Sequence, residues 1–251
     1  MKTLFSIAAE RDKMETEVFI FSILHKRKER FQIMSTSSSV ILFQGDSITD
    51  GGRSRNDDPN HFLGHGYAYL ISSKLGMELA GKHKTFYNRG ISGDRASDLY
   101  ARWNEDAISL KPDLISILIG VNDAWRTMNG EPSGITDRFG RAYRHLLEET
   151  REVMPDTGLI LLEPFILKTG ATVEQWDVWE ERIRQYQRLV RELAEEFGAV
   201  WVPLQQTFND ALKQADAAYW LWDGVHPTAA GHELIARQWL SVVQHSPLAI
   251  V

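Results

Sequence analysis

Ser47 stands in "GDSITDGG" (residues 45–52), directly after the apolar run "VILFQ" (residues 40–44). A serine hydroxyl is a poor nucleophile until a base takes its proton. A base candidate lies far along the chain in "DGVHP" (residues 223–227): His226, whose neutral imidazole works near neutral pH. Asp223, just before it, can turn back onto the Nδ1–H, fix the tautomer and stabilise the imidazolium that forms. Acyl transfer also needs hydrogen-bond donors aimed at the oxyanion of its tetrahedral intermediate. The backbone N–H groups of Ser47 and Gly90 and the side-chain amide of Asn122 are the candidates. Gly90 has no side chain to keep its N–H at a distance.

Each of these residues also has a plainer role. Alone, Ser47 reads as a helix N-cap, Gly90 as a turn, Asn122 as the cap of the helix after its strand, and Asp223 with His226 as a structural pair. Their joint position decides between the readings, and that position depends on the elements that carry them. From Val40 onward, short apolar runs alternate with helical patterns. Strands are expected at "VILFQ", "KTFYN" (residues 84–88), "DLISILIG" (113–120), "GLILLEP" (158–164) and "AVWVPL" (199–204). Helices are expected over residues 67–79, 96–110, 136–153, 173–197 and 228–243. The fourth of these has Val173, Trp176, Trp179, Ile183, Tyr186, Val190, Leu193 and Phe197 at steps of three and four, and Gly198 ends it. Such alternation predicts an α/β fold with a five-stranded parallel sheet covered on both faces. Ligands of open α/β sheets sit beyond the carboxyl ends of the strands. Ser47, Gly90 and Asn122 follow the first three strands, and "DGVHP" lies in a loop able to reach the same rim.

Four segments carry a family resemblance: "GDSITD" with Ser47, "NRGISGD" with Gly90, "GVND" with Asn122 and "DGVHP" with Asp223 and His226. In order and spacing they resemble the four blocks of the SGNH, or GDSL-type, serine hydrolases, over about Val40 to Val243. The resemblance implies a flavodoxin-like three-layer α/β/α sandwich and a serine esterase without metal or other cofactor. It makes Ser47 the nucleophile, Asp223 and His226 the rest of the triad, and Ser47, Gly90 and Asn122 the oxyanion hole. Ile48 departs from the leucine of the family's name, a packing choice. The longer strings "GDSITDGGR", "ARWNEDAISLKPD", "GVNDAWR" and "HPTAAGHELIAR" resemble bacterial acetylxylan esterases and related carbohydrate deacetylases.

The surroundings of the candidate nucleophile suit a sugar ester. Arg53 and Arg55 follow the serine turn, Trp125 follows Asn122, and Trp220 and Trp222 precede Asp223. Asp46 is expected to brace the serine turn and to stand with these five around the substrate. Aromatic faces suit a sugar ring and arginines suit its hydroxyl groups, although one or two tryptophans could simply pack the loops. The expected reaction is removal of a short acyl group, acetyl above all, from a saccharide such as an acetylated xylo-oligosaccharide. A thioesterase or lysophospholipase of the same superfamily is the alternative, and a non-catalytic carbohydrate- or phosphate-binding module a further one. "GDSITDGG" lacks the lysine and spacing of a P-loop. His61 and His65 have a metal-ligand spacing, but Gly64 and Gly66 make the stretch loop-like, with no third ligand evident. Asp57 and Asp58 are expected in a solvated loop ending at Pro59.

The 251 residues suit one well-cored domain, and the net charge of -6 argues against a general nucleic-acid binder. Absence of cysteine excludes disulfides, thiolate metal sites and a cysteine nucleophile. It fits a reducing compartment, and the expected location is cytoplasmic. The apolar "VFIFSIL" (residues 18–24) is too short to span a bilayer, and its basic residues follow rather than precede it, unlike a signal peptide. Residues 1–34 are expected to be an extension, weakly ordered or an isolated helix, before a single domain over residues 35–251. Trp176 and Trp179 are expected in the core; left exposed, they would mark a subunit interface. The aromatic content and the family's habit allow a homo-oligomer of unspecified size.

Overall fold

The structure is a computed structural model that describes residues 39–56, 58–128 and 135–248. The expected extension over residues 1–34 and Asp57 lie outside the described residues. Five parallel strands form one sheet in the order β2-β1-β3-β4-β5: β1 Val40–Gly45, β2 Thr85–Asn88, β3 Leu114–Leu118, β4 Gly158–Leu162 and β5 Val200–Val202. Phe43 pairs with Asn88 on one side and with Ser116 on the other, so β1 lies inside the sheet. Every residue of β3 and β4 is buried, whereas edge strand β2 alternates between buried and partly exposed. Helices cover both faces of the central strands, so these carry continuous apolar runs rather than an alternating pattern.

The helices are α1 Ser47–Asp50, α2 Tyr67–Glu78, α3 Ala96–Ala101, α4 Trp103–Asp106, α5 Val121–Met128, α6 Ile135–Val153, α7 Trp176–Glu196, α8 Gln205–Ala211, α9 Ala217–Trp220 and α10 Ala229–Gln244. On one side α2 packs against α10; on the other α3, α6 and α7 pack in series. The result is the three-layer α/β/α sandwich that the alternation predicts. Thr228 caps α10 by accepting the N–H of Gly231, and Gly198 (φ 60°) follows α7 in the left-handed region.

Two segments depart from expectation. Residues 96–110 form two short helices and a tight turn (Ile108–Leu110) rather than one helix. Arg102, at the break, sends its guanidinium to Asp94, Asp106 and Gln44, while buried Trp103 donates its indole N–H to Thr150 Oγ1 at 2.9 Å. These tertiary anchors override the local helical pattern. Val173 lies outside α7 and is half exposed, because residues 170–172 turn tightly around Thr172 before the helix starts. Trp179 is buried, and Trp176, partly buried, packs against the core.

Candidate active site

β1 ends at Gly45, where a Cβ would lie 2.2 Å from the carbonyl oxygen of Leu118 and 2.4 Å from Thr49 Oγ1. Only glycine lets the strand turn this sharply into α1. Asp46, not Ser47, caps that helix: its Oδ1 accepts the N–H of Ile48 at 3.0 Å. The Ser47 hydroxyl is thereby released from capping, and its Oγ lies 2.9 Å from His226 Nε2. These residues are 179 positions apart in the chain.

His226 is held from behind. Its Nδ1 lies 2.7 Å from Asp223 Oδ2, while Asp223 Oδ1 accepts the N–H groups of His226 and Val225 at 2.7 and 3.0 Å. A carboxylate only accepts, so Nδ1 carries the proton and Nε2 is left to accept from Ser47. The hydrogen bond that His226 donates to Asp223, helped by the carboxylate's charge, raises the His226 pKa against the opposing effect of burial. Burial alone would raise Asp223, but the hydrogen bonds from the His226 ring and the two backbone N–H groups outweigh it and hold its pKa below the ordinary value. The chain after β4 braces this turn. Leu167 N–H donates to Gly224 O and Ala171 N–H to Asp223 O, each at 2.9 Å.

The oxyanion donors need one correction. Gly90 is buried, and its N–H donates to Asn88 Oδ1 at 2.9 Å, so it is not free to receive a ligand. A Cβ there would meet the backbone N of Asp50 at 2.5 Å, so this glycine serves close packing. The loop that follows has a different candidate. Ile91 N–H donates to Gly45 O at 3.1 Å, Ser92 N–H to Asp50 Oδ2 at 3.0 Å and Asp94 N–H to Ile91 O at 3.2 Å. Between them Gly93, exposed and at φ 88°, has no acceptor for its N–H among the described residues. Asn122 Nδ2 donates to the carbonyl of Asp94, the residue after Gly93, at 3.0 Å, and its second N–H has no acceptor among the described residues. The second glycine of "NRGISGD" was the available signal.

The expected substrate residues divide. Trp222 is 63% exposed and stacks on His226. Trp125 is partly buried, edge-on to Trp179, with its ring 6.5 Å from that of His226. Trp220 packs against the core and edge-on to Tyr219, and its Nε1 is buried, so it supports the loop. Asp46 is 1% exposed, too deep to touch a substrate; it braces the serine turn. Arg53 Nε and Arg55 Nη1 donate to Gly90 O at 2.9 and 3.3 Å, and Arg55 Nη2 meets Asp50 Oδ2 at 2.6 Å. Both arginines are thus tied to the rim, with Arg55 about half exposed. His61 and His65 lie on an exposed turn, where His61 pairs with Asp58. Among the described residues no group of three or more His, Asp or Glu is placed to hold a metal, and no helix is long and apolar enough to cross a membrane.

Ester cleavage is the class of chemistry that this rim on this sheet defines, and known proteins agree. Residues 43–234 match the GDSL-like Lipase/Acylhydrolase family; the chain belongs to it and is a carboxylic ester hydrolase. It is 38% identical over 217 residues to the acetylxylan esterase of Geobacillus stearothermophilus, covering 81% of this chain and 93% of that protein. The crystal structure of Axe2, an acetylxylan esterase of the same organism, superposes with a TM-score of 0.72 at 35% identity, covering 84% of this chain and 97% of the other. A GDSL-like protein of Parabacteroides merdae superposes with a TM-score of 0.80 at 38% identity, covering 86% and 98%. Solved structures of Axe2 include catalytic mutants in which a serine, an aspartate or a histidine is replaced by alanine.

Proposed function

We propose that the protein removes acetyl groups from acetylated xylo-oligosaccharides through an acyl-enzyme on Ser47. The hydrogen-bonded line from Ser47 through His226 to Asp223 carries this reading. His226 Nε2 takes the Ser47 proton as Oγ attacks the acetyl carbonyl. The oxyanion is received by the N–H groups of Ser47 and Gly93 and by the free amide N–H of Asn122. As the intermediate collapses, His226 returns the proton to the departing sugar oxygen. A water, deprotonated by His226, then cleaves the acyl-enzyme to acetate and restores the Ser47 hydroxyl. Similarity to the Geobacillus acetylxylan esterase supports the acetyl group and the saccharide. Exposed Trp222 beside His226 offers an aromatic face to a sugar ring.

The test is acetate release from acetylated xylo-oligosaccharides, other acetylated sugars and aryl esters of increasing acyl length. Acetylated xylo-oligosaccharides are expected to be the best substrates. Ser47→Ala is expected to abolish hydrolysis with the fold intact, and full activity in that variant would remove the acyl-enzyme. A preference for acyl chains of eight carbons or more would replace the acetyl reading.

A further inference from the structure

We propose that Asp50 is a positioning residue for the oxyanion donors: its carboxylate clasps the loop carrying Gly93 to the helix carrying Ser47. This rests on the role given above to Gly93. Asp50 ends α1, one helical turn after Ser47, and is 4% exposed. Burying a carboxylate is costly unless its lone pairs are met by donors. Here three donors from two segments meet it. Oδ1 accepts Arg53 N–H at 3.1 Å, and Oδ2 accepts Ser92 N–H at 3.0 Å together with Arg55 Nη2 at 2.6 Å.

A backbone carbonyl has one oxygen; a carboxylate has two, and can hold the chain after α1 and the loop after β2 at once. The charge also makes these bonds roughly twice as strong as neutral ones. Neighbouring contacts close the same seam. Asn88 Nδ2 donates to Thr49 O at 2.7 Å, and both arginines converge on Gly90 O. On the far side of Gly93, the Asp94 carboxylate accepts Arg102 Nε at 2.8 Å, and Arg102 is itself tied to Gln44 of β1. The residues on both sides of Gly93 are therefore tied, Ser92 by its N–H to α1 and Asp94 by its carboxylate through Arg102 to β1. Among the described residues, the Gly93 N–H is the one backbone donor of residues 90–94 left over. Stabilisation of an oxyanion requires its donors to be in place before charge develops, and a displacement of about 1 Å can cost on the order of 100-fold in rate.

The experiment compares wild type with Asp50→Asn and Asp50→Ala on an aryl acetate. It also measures inhibition by phenylboronic acid, which forms a tetrahedral adduct with a serine hydroxyl. The expected result is a kcat lower by about 10- to 100-fold, KM within about twofold, and boronate affinity lower by the same factor as kcat. The midpoint of the pH–rate profile should not move, because the contact between His226 and Asp223 is untouched. Wild-type kcat, or a loss of kcat without loss of boronate affinity, overturns the proposal. Should the Asp50 variants not fold, Arg55→Ala removes one of the three donors from a half-exposed position. It is expected to lower kcat about 2- to 10-fold at constant KM. An effect confined to KM would assign Arg55 to the substrate and overturn the clasp. Ser47→Ala, assayed in parallel, keeps the two ideas apart. Activity in that variant removes the acyl-enzyme reading, whereas an inactive Ser47→Ala beside unaffected Asp50 variants removes only the clasp.

Discussion

Trp222 lies face to face with His226, their ring centroids 6.0 Å apart and their planes 22° from parallel. The indole is 63% exposed and stands against the imidazole, so its face is open to a ligand at Ser47. A sugar seated over Ser47 would cover it. Stacking contacts of aromatic rings contribute about 0.5–1.5 kcal/mol beyond buried area, so Trp222→Ala is expected to lower kcat/KM on acetylated xylo-oligosaccharides by about 2- to 10-fold. Steady-state kinetics check this; an unchanged kcat/KM would mean that the indole faces no substrate.

The pH profile follows from the sign of one shift. His226 must be neutral to accept the Ser47 proton, and its pKa is raised above the ordinary 6.5, chiefly by the hydrogen bond it donates to Asp223. The rate should therefore fall as pH drops, with its midpoint above 6.5. Asp223→Asn removes the cause of the shift. It is expected to move the midpoint down and to cut kcat by about 10²- to 10⁴-fold, because the tautomer is no longer fixed. A kcat/KM profile on an aryl acetate reads both. A midpoint that stays in place after the substitution would assign it to another group.

Asn122 tests the proposed oxyanion site independently of Asp50. One amide N–H is spent on Asp94 O at 3.0 Å, and the other is the proposed donor. Asn122→Ala is expected to lower kcat about 10²- to 10³-fold with little change in KM. Asn122→Asp should be no better, because its carboxylate has no N–H to give and repels the developing charge. A loss appearing only in KM would place Asn122 in ground-state binding.

Ser47, Asp223 and His226, which lie in hydrogen-bond contact in the fold, stood out in the sequence because each sits in a short polar string after an apolar stretch. The three inner strands were readable because burial on both faces leaves continuous apolar runs, whereas edge strands β2 and β5 are short, lack Ile and Leu, and were marked mainly by their place between helical patterns. Depth was not readable. Asp46 and Trp222 look equally well placed for a substrate in the sequence, yet one is buried beneath α1 and the other stands in the open. Gly90 and Gly93 occupy one loop and share its chemistry on paper. Only the hydrogen-bond partners separate them: the N–H of Gly90 is taken by Asn88, and that of Gly93 has no taker among the described residues. The break after Ala101 was hidden for a similar reason, because the contacts of Arg102 and Trp103 that cause it lie elsewhere in the chain.

The sheet also carries a polar contact whose removal should be felt globally. Trp239 of α10 donates its indole N–H to Ser116 Oγ of β3 at 3.0 Å, and both residues are fully buried. Trp239→Phe removes the donor and strands the acceptor in the core, in addition to losing ring volume. The expected destabilisation is about 1–3 kcal/mol for the stranded group alone. Urea unfolding measures it. A difference below about 0.5 kcal/mol would show that the hydroxyl finds another partner.

Asp46 links the site to stability. Burial pushes its carboxyl from the ordinary 3.8 up to about 7, against the opposing hydrogen bond from Ile48 N–H and the charge of His226. Its Oδ2 has no hydrogen-bond partner among the described residues. The folded protein thus holds this proton more tightly than the unfolded chain does. Between about pH 4 and pH 7 folding takes up a proton, so this group's contribution to stability falls as pH rises. Asp46→Asn keeps an acceptor for Ile48 N–H and removes the charge. Its Tm relative to wild type should therefore be higher at pH 8 than at pH 5. Asp123, also pushed to about 7 by burial, leaves part of the slope in place. Thermal unfolding of both proteins at the two pH values gives the comparison, and equal differences at pH 5 and pH 8 would show that Asp46 does not titrate between them.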